Sequence, residues 1–157
     1  MTPQARGAYA LHEAGHAVVA RELGCEVLGV EIAGQIGLCH VTPTGRGTLN
    51  NVRRELTYTL AGWIAEKIAE GGGWRTLPLA RVLSTESQDG RRMRVFNFAS
   101  DVARLLGDDA DAHSFVNDAI PRAAERAACI LEQRWGEVLD LAAQLFVDGQ
   151  VELRVAA

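Results

Sequence analysis

Five consecutive residues near the N-terminus, His12-Glu13-Ala14-Gly15-His16, carry the side chains best suited to chemistry. Four residues of an α-helix advance by about 400°, so His12 and His16 are expected on one face, about one turn apart. Two imidazoles placed in this way can bind one zinc ion. Glu13 is rotated by about 100° from His12, where its carboxylate can take a proton from a water on the metal. The spacing therefore predicts metal-assisted hydrolysis of an amide bond.

The alternative is a helix that carries two histidines and binds nothing. The residues around the motif argue against it, because positions 9–11 and 17–20 are almost entirely apolar and predict a largely buried helix. Two histidines and a glutamate in such a helix need polar partners. A zinc ion would supply them, so the flanks favour a metal site.

The motif is expected on a helix over residues 4–23, which Gly24 would end. Residues 26–41 carry apolar side chains on both sides of Gly34-Gln35, and this pattern predicts two short strands joined by a tight turn. A second helix is predicted over residues 51–70, because apolar residues recur there at helical spacing before three consecutive glycines.

The second half of the chain is predicted to be helical as well. A third helix is expected from about residue 87 to residue 106, followed by a polar turn over residues 107–111. Pro121 either opens a helix at its first turn or kinks one, and residues 131–146 carry the last apolar stripe. These elements predict a mostly α (α+β) domain over residues 1–157 with one small β-hairpin.

The composition is that of an ordinary globular protein, with 157 residues, 48% hydrophobic and 23% charged. A net charge of -4 gives no reason to expect nucleic acid or an anionic membrane as a partner. We find no apolar run long enough for a membrane span and no secretion signal. Cys25, Cys39 and Cys129 are scattered and odd in number, which predicts small buried thiols in a reducing cytoplasm rather than disulfides.

Three segments resemble, in the same order, the peptidase domain of the FtsH family, the membrane-anchored ATP-dependent zinc proteases. They are residues 11–19 (LHEAGHAVV), 60–66 (LAGWIAE) and 84–89 (STESQD). The C-terminal run, residues 124–145, is also similar to that family's last helices. The sequence departs from the family at Trp63, where a basic residue is common, and the segment before Asp89 is one residue shorter.

The resemblance implies that Asp89 is the third zinc ligand, beside His12 and His16. Glu66 is the alternative, because other peptidases with this motif take a glutamate ligand from the second helix. Asp101 lies 12 residues beyond Asp89, about 18 Å along one continuous helix, so the two could not serve the same ion. The resemblance also implies that the strand over residues 35–41 receives the substrate as an added strand. The alternative is a hairpin with a structural role only.

These observations predict a cytoplasmic zinc endopeptidase that cleaves exposed or unfolded protein segments. The sequence contains no Walker-type glycine loop, so we expect cleavage without ATP unless a separate ATPase partner supplies unfolding force. The oligomeric state is open, and a homo-oligomer is one possibility. Two other readings are a catalytically silent binding or regulatory protein with the same fold, and a zinc hydrolase that acts on a non-peptide amide.

Overall fold

A computed structural model of the chain describes residues 1–42, 45, 47–76 and 95–153. In these ranges the chain forms five α-helices, a short 3-10 helix at Trp74–Thr76 and one antiparallel sheet. The helices are α1 (Pro3–Glu22), α2 (Leu49–Ala69), α3 (Val95–Leu106), α4 (Asp109–Gln133) and α5 (Trp135–Asp148). The strands are β1 (Val27–Ala33), β2 (Ile36–Val41) and β3 (Gln150–Glu152). The mostly α (α+β) class is therefore confirmed.

Helices α1 and α2 begin and end on local signals that the sequence contains. Thr2 and Thr48 precede them, and each threonine hydroxyl accepts a hydrogen bond from a backbone N–H in the first helical turn. Pro3 stands at the first position of α1, where its missing N–H costs nothing. Gly24 and Gly71 follow the two helices with positive φ angles of 75° and 102°. Both helices lie within two residues of their predicted bounds.

The predicted hairpin is present, and the structure adds a strand to it. Gly34 turns the chain between β1 and β2 with a φ of 63°, and Val30 pairs with Cys39 across the hairpin. β3 pairs with the other side of β1, where Val30 faces Val151. The strand order β2-β1-β3 makes β2 an edge strand of the described sheet.

The C-terminal half follows the predicted helical pattern with two refinements. Asp108 caps α4 by accepting hydrogen bonds from two backbone N–H groups, so the helix begins inside the turn predicted over residues 107–111. Pro121 lies within α4 and does not open a new helix. Of the helix predicted from residue 87, α3 is the described part, and residues 77–94 lie outside the described residues.

Helix α1 occupies the centre of the fold, where it packs against α2, α5 and the β1–β2 hairpin. Buried apolar side chains from the helices and from β1 form one hydrophobic cluster. Cys25 and Cys39 belong to this cluster, as predicted, but Cys129 is exposed on α4, so the prediction of a buried thiol is wrong there. None of the described helices has both the length and the hydropathy needed to cross a membrane.

Candidate metal centre

The three side chains of the motif are buried together. His12, Glu13 and His16 are 7%, 5% and 5% exposed. One ligand atom from each lies within 4.8 Å of the others, and the two imidazole rings meet edge to face with centroids 4.6 Å apart. The helical spacing therefore brings the predicted donors to one point inside the protein. Such buried polar groups require partners, and α2 supplies one to each of the two histidines.

Small residues hold α2 close against the motif. A Cβ added to Gly15 would lie 2.7 Å from the Cβ of Ala65 and 3.0 Å from the carbonyl oxygen of Ala61. Only a glycine on α1 facing alanines on α2 allows the two helix backbones to approach this closely. Because Gly15 stands between the two histidines in sequence, this contact places both imidazoles directly against α2.

Each histidine is oriented through its Nδ1 atom by a group on α2. His16 Nδ1 lies 2.7 Å from the carbonyl oxygen of Tyr58, and His12 Nδ1 lies 2.6 Å from Glu66 Oε1. A carbonyl oxygen only accepts hydrogen bonds, so Nδ1 of His16 must be the protonated nitrogen. The carboxylate of Glu66 favours the same tautomer of His12. In both rings Nε2 then carries the lone pair that ligates a metal.

The two Nε2 atoms converge on Gly62. A Cβ added at this glycine would lie 2.6 Å from Nε2 of His12 and 2.6 Å from Nε2 of His16, well inside van der Waals contact. Any other residue at position 62 would therefore occupy the space in which the two rings come together. The Glu66 carboxylate and the Tyr58 carbonyl that orient the rings, and the glycine that makes room for them, all belong to one helix, α2.

Glu13 points to the hairpin side of the same site. A Cβ added to Gly37 would lie 2.7 Å from Cγ of Glu13, so the glutamate side chain packs directly on the backbone of β2. Its carboxylate thus lies between the histidines and an edge strand of the sheet. The prediction that this carboxylate acts on a metal-bound water stays a prediction.

Glu66 supports His12 from behind. Its carboxylate contacts Nδ1, whereas Nε2 of the same ring faces Gly62, so the geometry favours an orienting role for Glu66 over a role as third ligand. Asp89, the ligand that the resemblance implies, lies outside the described residues, and its role stays a prediction. Asp101 forms an ion pair with Arg104 on α3.

Trp63 forms one wall of the site. Its ring meets His12 edge to face with centroids 5.4 Å apart. Its Nε1 atom is buried and has no hydrogen-bond partner within the described ranges. The indole covers one side of His12. A hydrogen bond is stronger where water is excluded, so this packing favours the bond between His12 and Glu66.

The donor set suits a zinc ion. Two neutral imidazole nitrogens, each with its second nitrogen fixed by an acceptor, are the usual core of a catalytic zinc site, and a carboxylate beside them completes its chemistry. The sequence predicted these three side chains but not the parts played by Tyr58, Gly62 and Gly37. The run Leu60-Ala61-Gly62 was the available signal, since small residues in a helix indicate close packing.

Comparison with known proteins leaves the family open. No protein-family model matches the chain. A search of curated proteins also finds no match. The likeness to the FtsH peptidase domain therefore rests on the three sequence segments described above and stays a prediction.

Proposed function

We propose that this protein is a zinc-dependent endopeptidase whose metal is held by His12 and His16 and whose general base is Glu13. The observation that carries the proposal is the orientation of the two imidazoles. Both present Nε2 to one point beside Gly62, both have Nδ1 fixed by an acceptor, and the Glu13 carboxylate is buried beside them. We propose Asp89 as the third ligand, on the resemblance alone.

Each residue of the site has a separate role in the proposed hydrolysis. A bound zinc would supply a Lewis acid that polarises a carbonyl and makes water acidic near neutral pH. His12 and His16 would hold it, and Glu66 and the Tyr58 carbonyl keep the two rings in the ligating tautomer. A carboxylate oxygen of Glu13 accepts the proton of the attacking water and later donates it to the leaving amine.

The edge strand β2 indicates how a substrate would bind. Gly37 of β2 contacts the side chain of Glu13, so a peptide added along this strand would bring its backbone close to the general base. Backbone pairing requires an extended segment and makes few demands on side chains. This supports a preference for exposed or unfolded protein segments over small non-peptide amides.

The first experiment measures metal and turnover on matched variants. Wild type and Glu13→Gln should each contain about one zinc per chain, and His16→Ala should lose it. Glu13→Gln should hydrolyse fluorescently labelled casein, a protein without a stable fold, at least 100-fold more slowly than wild type. His113→Ala is the control, because this histidine is exposed on α4 and contacts the carbonyl oxygen of Asp109.

The outcomes separate the candidate functions. Zinc binding without casein hydrolysis by wild type would favour a binding or regulatory protein with the same fold. Equal hydrolysis by wild type and Glu13→Gln would remove this carboxylate from the mechanism. Zinc retained by His16→Ala would show that the metal lies elsewhere. Loss of zinc in Asp89→Ala would establish the third ligand.

A further inference from the structure

A groove between α2 and α4 lies away from the metal centre. Its volume is about 220 Å³, and it is lined by Arg53, Phe115, Asp118, Ala119, Arg122, Ala123 and Arg126. Arg53 precedes Gly62 by nine residues of α2, which is about 14 Å along the axis and about 180° round it. The groove therefore opens on the side of α2 that faces away from the histidines.

The three arginines of this groove have no carboxylate within ion-pair distance among the residues that the structure describes. Elsewhere in the described ranges Arg104 pairs with Asp101, and Arg134 pairs with Glu22 and Glu137. None of the three groove arginines forms an ion pair with a described residue, even though the chain carries a net charge of -4. The guanidinium of Arg53 instead lies 4.9 Å from the centroid of the Phe115 ring.

The three arginines of the groove can contact one anion from two helices. Arg122 and Arg126 are four residues apart on α4, so their side chains project from one face about one turn apart. Arg53 projects from α2 on the opposite wall. Guanidinium groups offer planar pairs of donors that fit phosphate and carboxylate oxygens. An anion between them would therefore receive donors from both walls.

The charge and the volume of the groove indicate which class of anion it would bind. Three arginines and one aspartate give the lining a net charge of +2. A phosphomonoester carries about -1.5 to -2 at pH 7, whereas a carboxylate carries -1. Buried Ala119 and Ala123 and the Phe115 ring supply apolar surface for the group that bears the phosphate. A groove of about 220 Å³ suits a small carrier of this kind.

We propose that this groove binds the phosphate dianion of a small phosphomonoester, with Arg53, Arg122 and Arg126 as donors and the Phe115 ring against its carrier. The proposal does not rest on the proposed peptidase activity, because Arg53 lies about 14 Å along α2 from Gly62 and on the opposite side of that helix. A ligand in this groove would contact both α2 and α4, on the face of α2 opposite the histidines.

Isothermal titration calorimetry with phenyl phosphate tests the proposal, with benzoate as the carboxylate counterpart and inorganic phosphate as the anion without a carrier. Wild type should bind phenyl phosphate at least tenfold more tightly than either of the other two. The double variant Arg122→Gln/Arg126→Gln should lose at least tenfold in affinity for phenyl phosphate. The control Arg104→Gln/Arg134→Gln removes two arginines that already have acidic partners and should bind as wild type does.

Three results would overturn the assignment. No heat of binding up to 5 mM phenyl phosphate (about the millimolar limit of a useful affinity) would show that the groove takes no such ligand. Equal affinity for benzoate would show that a single negative charge is enough. Equal loss in the control variant would show a general effect of surface charge. Zinc content and circular dichroism of each variant establish that the fold and the metal site are intact.

Discussion

Replacing Gly62 with alanine offers the sharpest test of how the metal site is built. The added Cβ would lie 2.6 Å from Nε2 of each histidine, whereas carbon atoms in contact are about 3.5–4.0 Å from their neighbours. The rings or α2 must therefore move by about 1 Å. Changes of this kind around metal ligands typically cost about 10- to 100-fold in metal affinity. We expect Gly62→Ala to bind zinc with that loss, about 1.4–2.7 kcal/mol.

The free energy of unfolding of the metal-free protein should fall by about 0–2.5 kcal/mol, so it is measured separately from zinc affinity. Alanine is favoured over glycine in a helix interior by about 0.5–1 kcal/mol, and overpacking opposes this gain by about 1–3 kcal/mol. The assay is therefore zinc affinity, measured by competition with a chromophoric chelator, beside thermal unfolding without metal. Gly7→Ala is the control, because this glycine lies on α1 and a Cβ there would meet nothing within 4 Å. Wild-type zinc affinity in Gly62→Ala would refute the convergence of the two Nε2 atoms on this glycine.

Three further predictions follow from the contacts of single side chains. Glu66→Gln should lower zinc affinity about 10- to 100-fold, because the carboxylate that orients His12 is lost. The control Glu70→Gln changes an exposed residue one turn further along and should keep the wild-type affinity. Equal zinc affinities of the two variants in chelator competition would contradict the orienting role of Glu66. Gly37→Ala should displace the Glu13 carboxylate, the proposed general base, and reduce casein hydrolysis at least tenfold while zinc content stays at about one per chain. Unchanged hydrolysis would show that the contact between Gly37 and Glu13 is unimportant. Burial raises the pKa of the Cys25 thiol, so its thiolate forms only at higher pH than usual. In native protein at pH 8, iodoacetamide should therefore alkylate exposed Cys129 well before Cys25. Peptide mass spectrometry measures the order of the two reactions.

Local sequence signals predicted most of the fold because they act within a few residues. The glycines after α1 and α2 indicated where these helices end, and Gly34-Gln35 indicated the hairpin turn. β3 was missed because three residues carry too little alternation to be recognised, and its partner β1 is far away in sequence. The sequence left open whether Pro121 opens a helix or lies inside one. The structure has it inside α4, a helix that packs on α2 and α3, and these contacts are not visible in the sequence.

The candidate site was predictable only where it depends on a single helix. The spacing of His12 and His16 is a property of α1 alone, so the sequence was enough. The parts played by Tyr58, Gly62 and Glu66 depend on how α2 is rotated and how closely it approaches α1. These are tertiary quantities that helical periodicity does not contain. Glu66 illustrates the difference, since sequence reasoning weighed it as a ligand and the structure places it on the far nitrogen of His12.

The close approach of Gly15 to Ala61 and Ala65 has a consequence for the life of the protein without metal. In many small metalloproteins the ion organises its own ligands, and chelation unfolds the chain. Here the two helices meet through apolar contacts that owe nothing to an ion, and both imidazoles are already turned by acceptors on α2. The metal-free chain should therefore stay folded. Zinc supply could then regulate the proposed activity without synthesis or degradation of the protein.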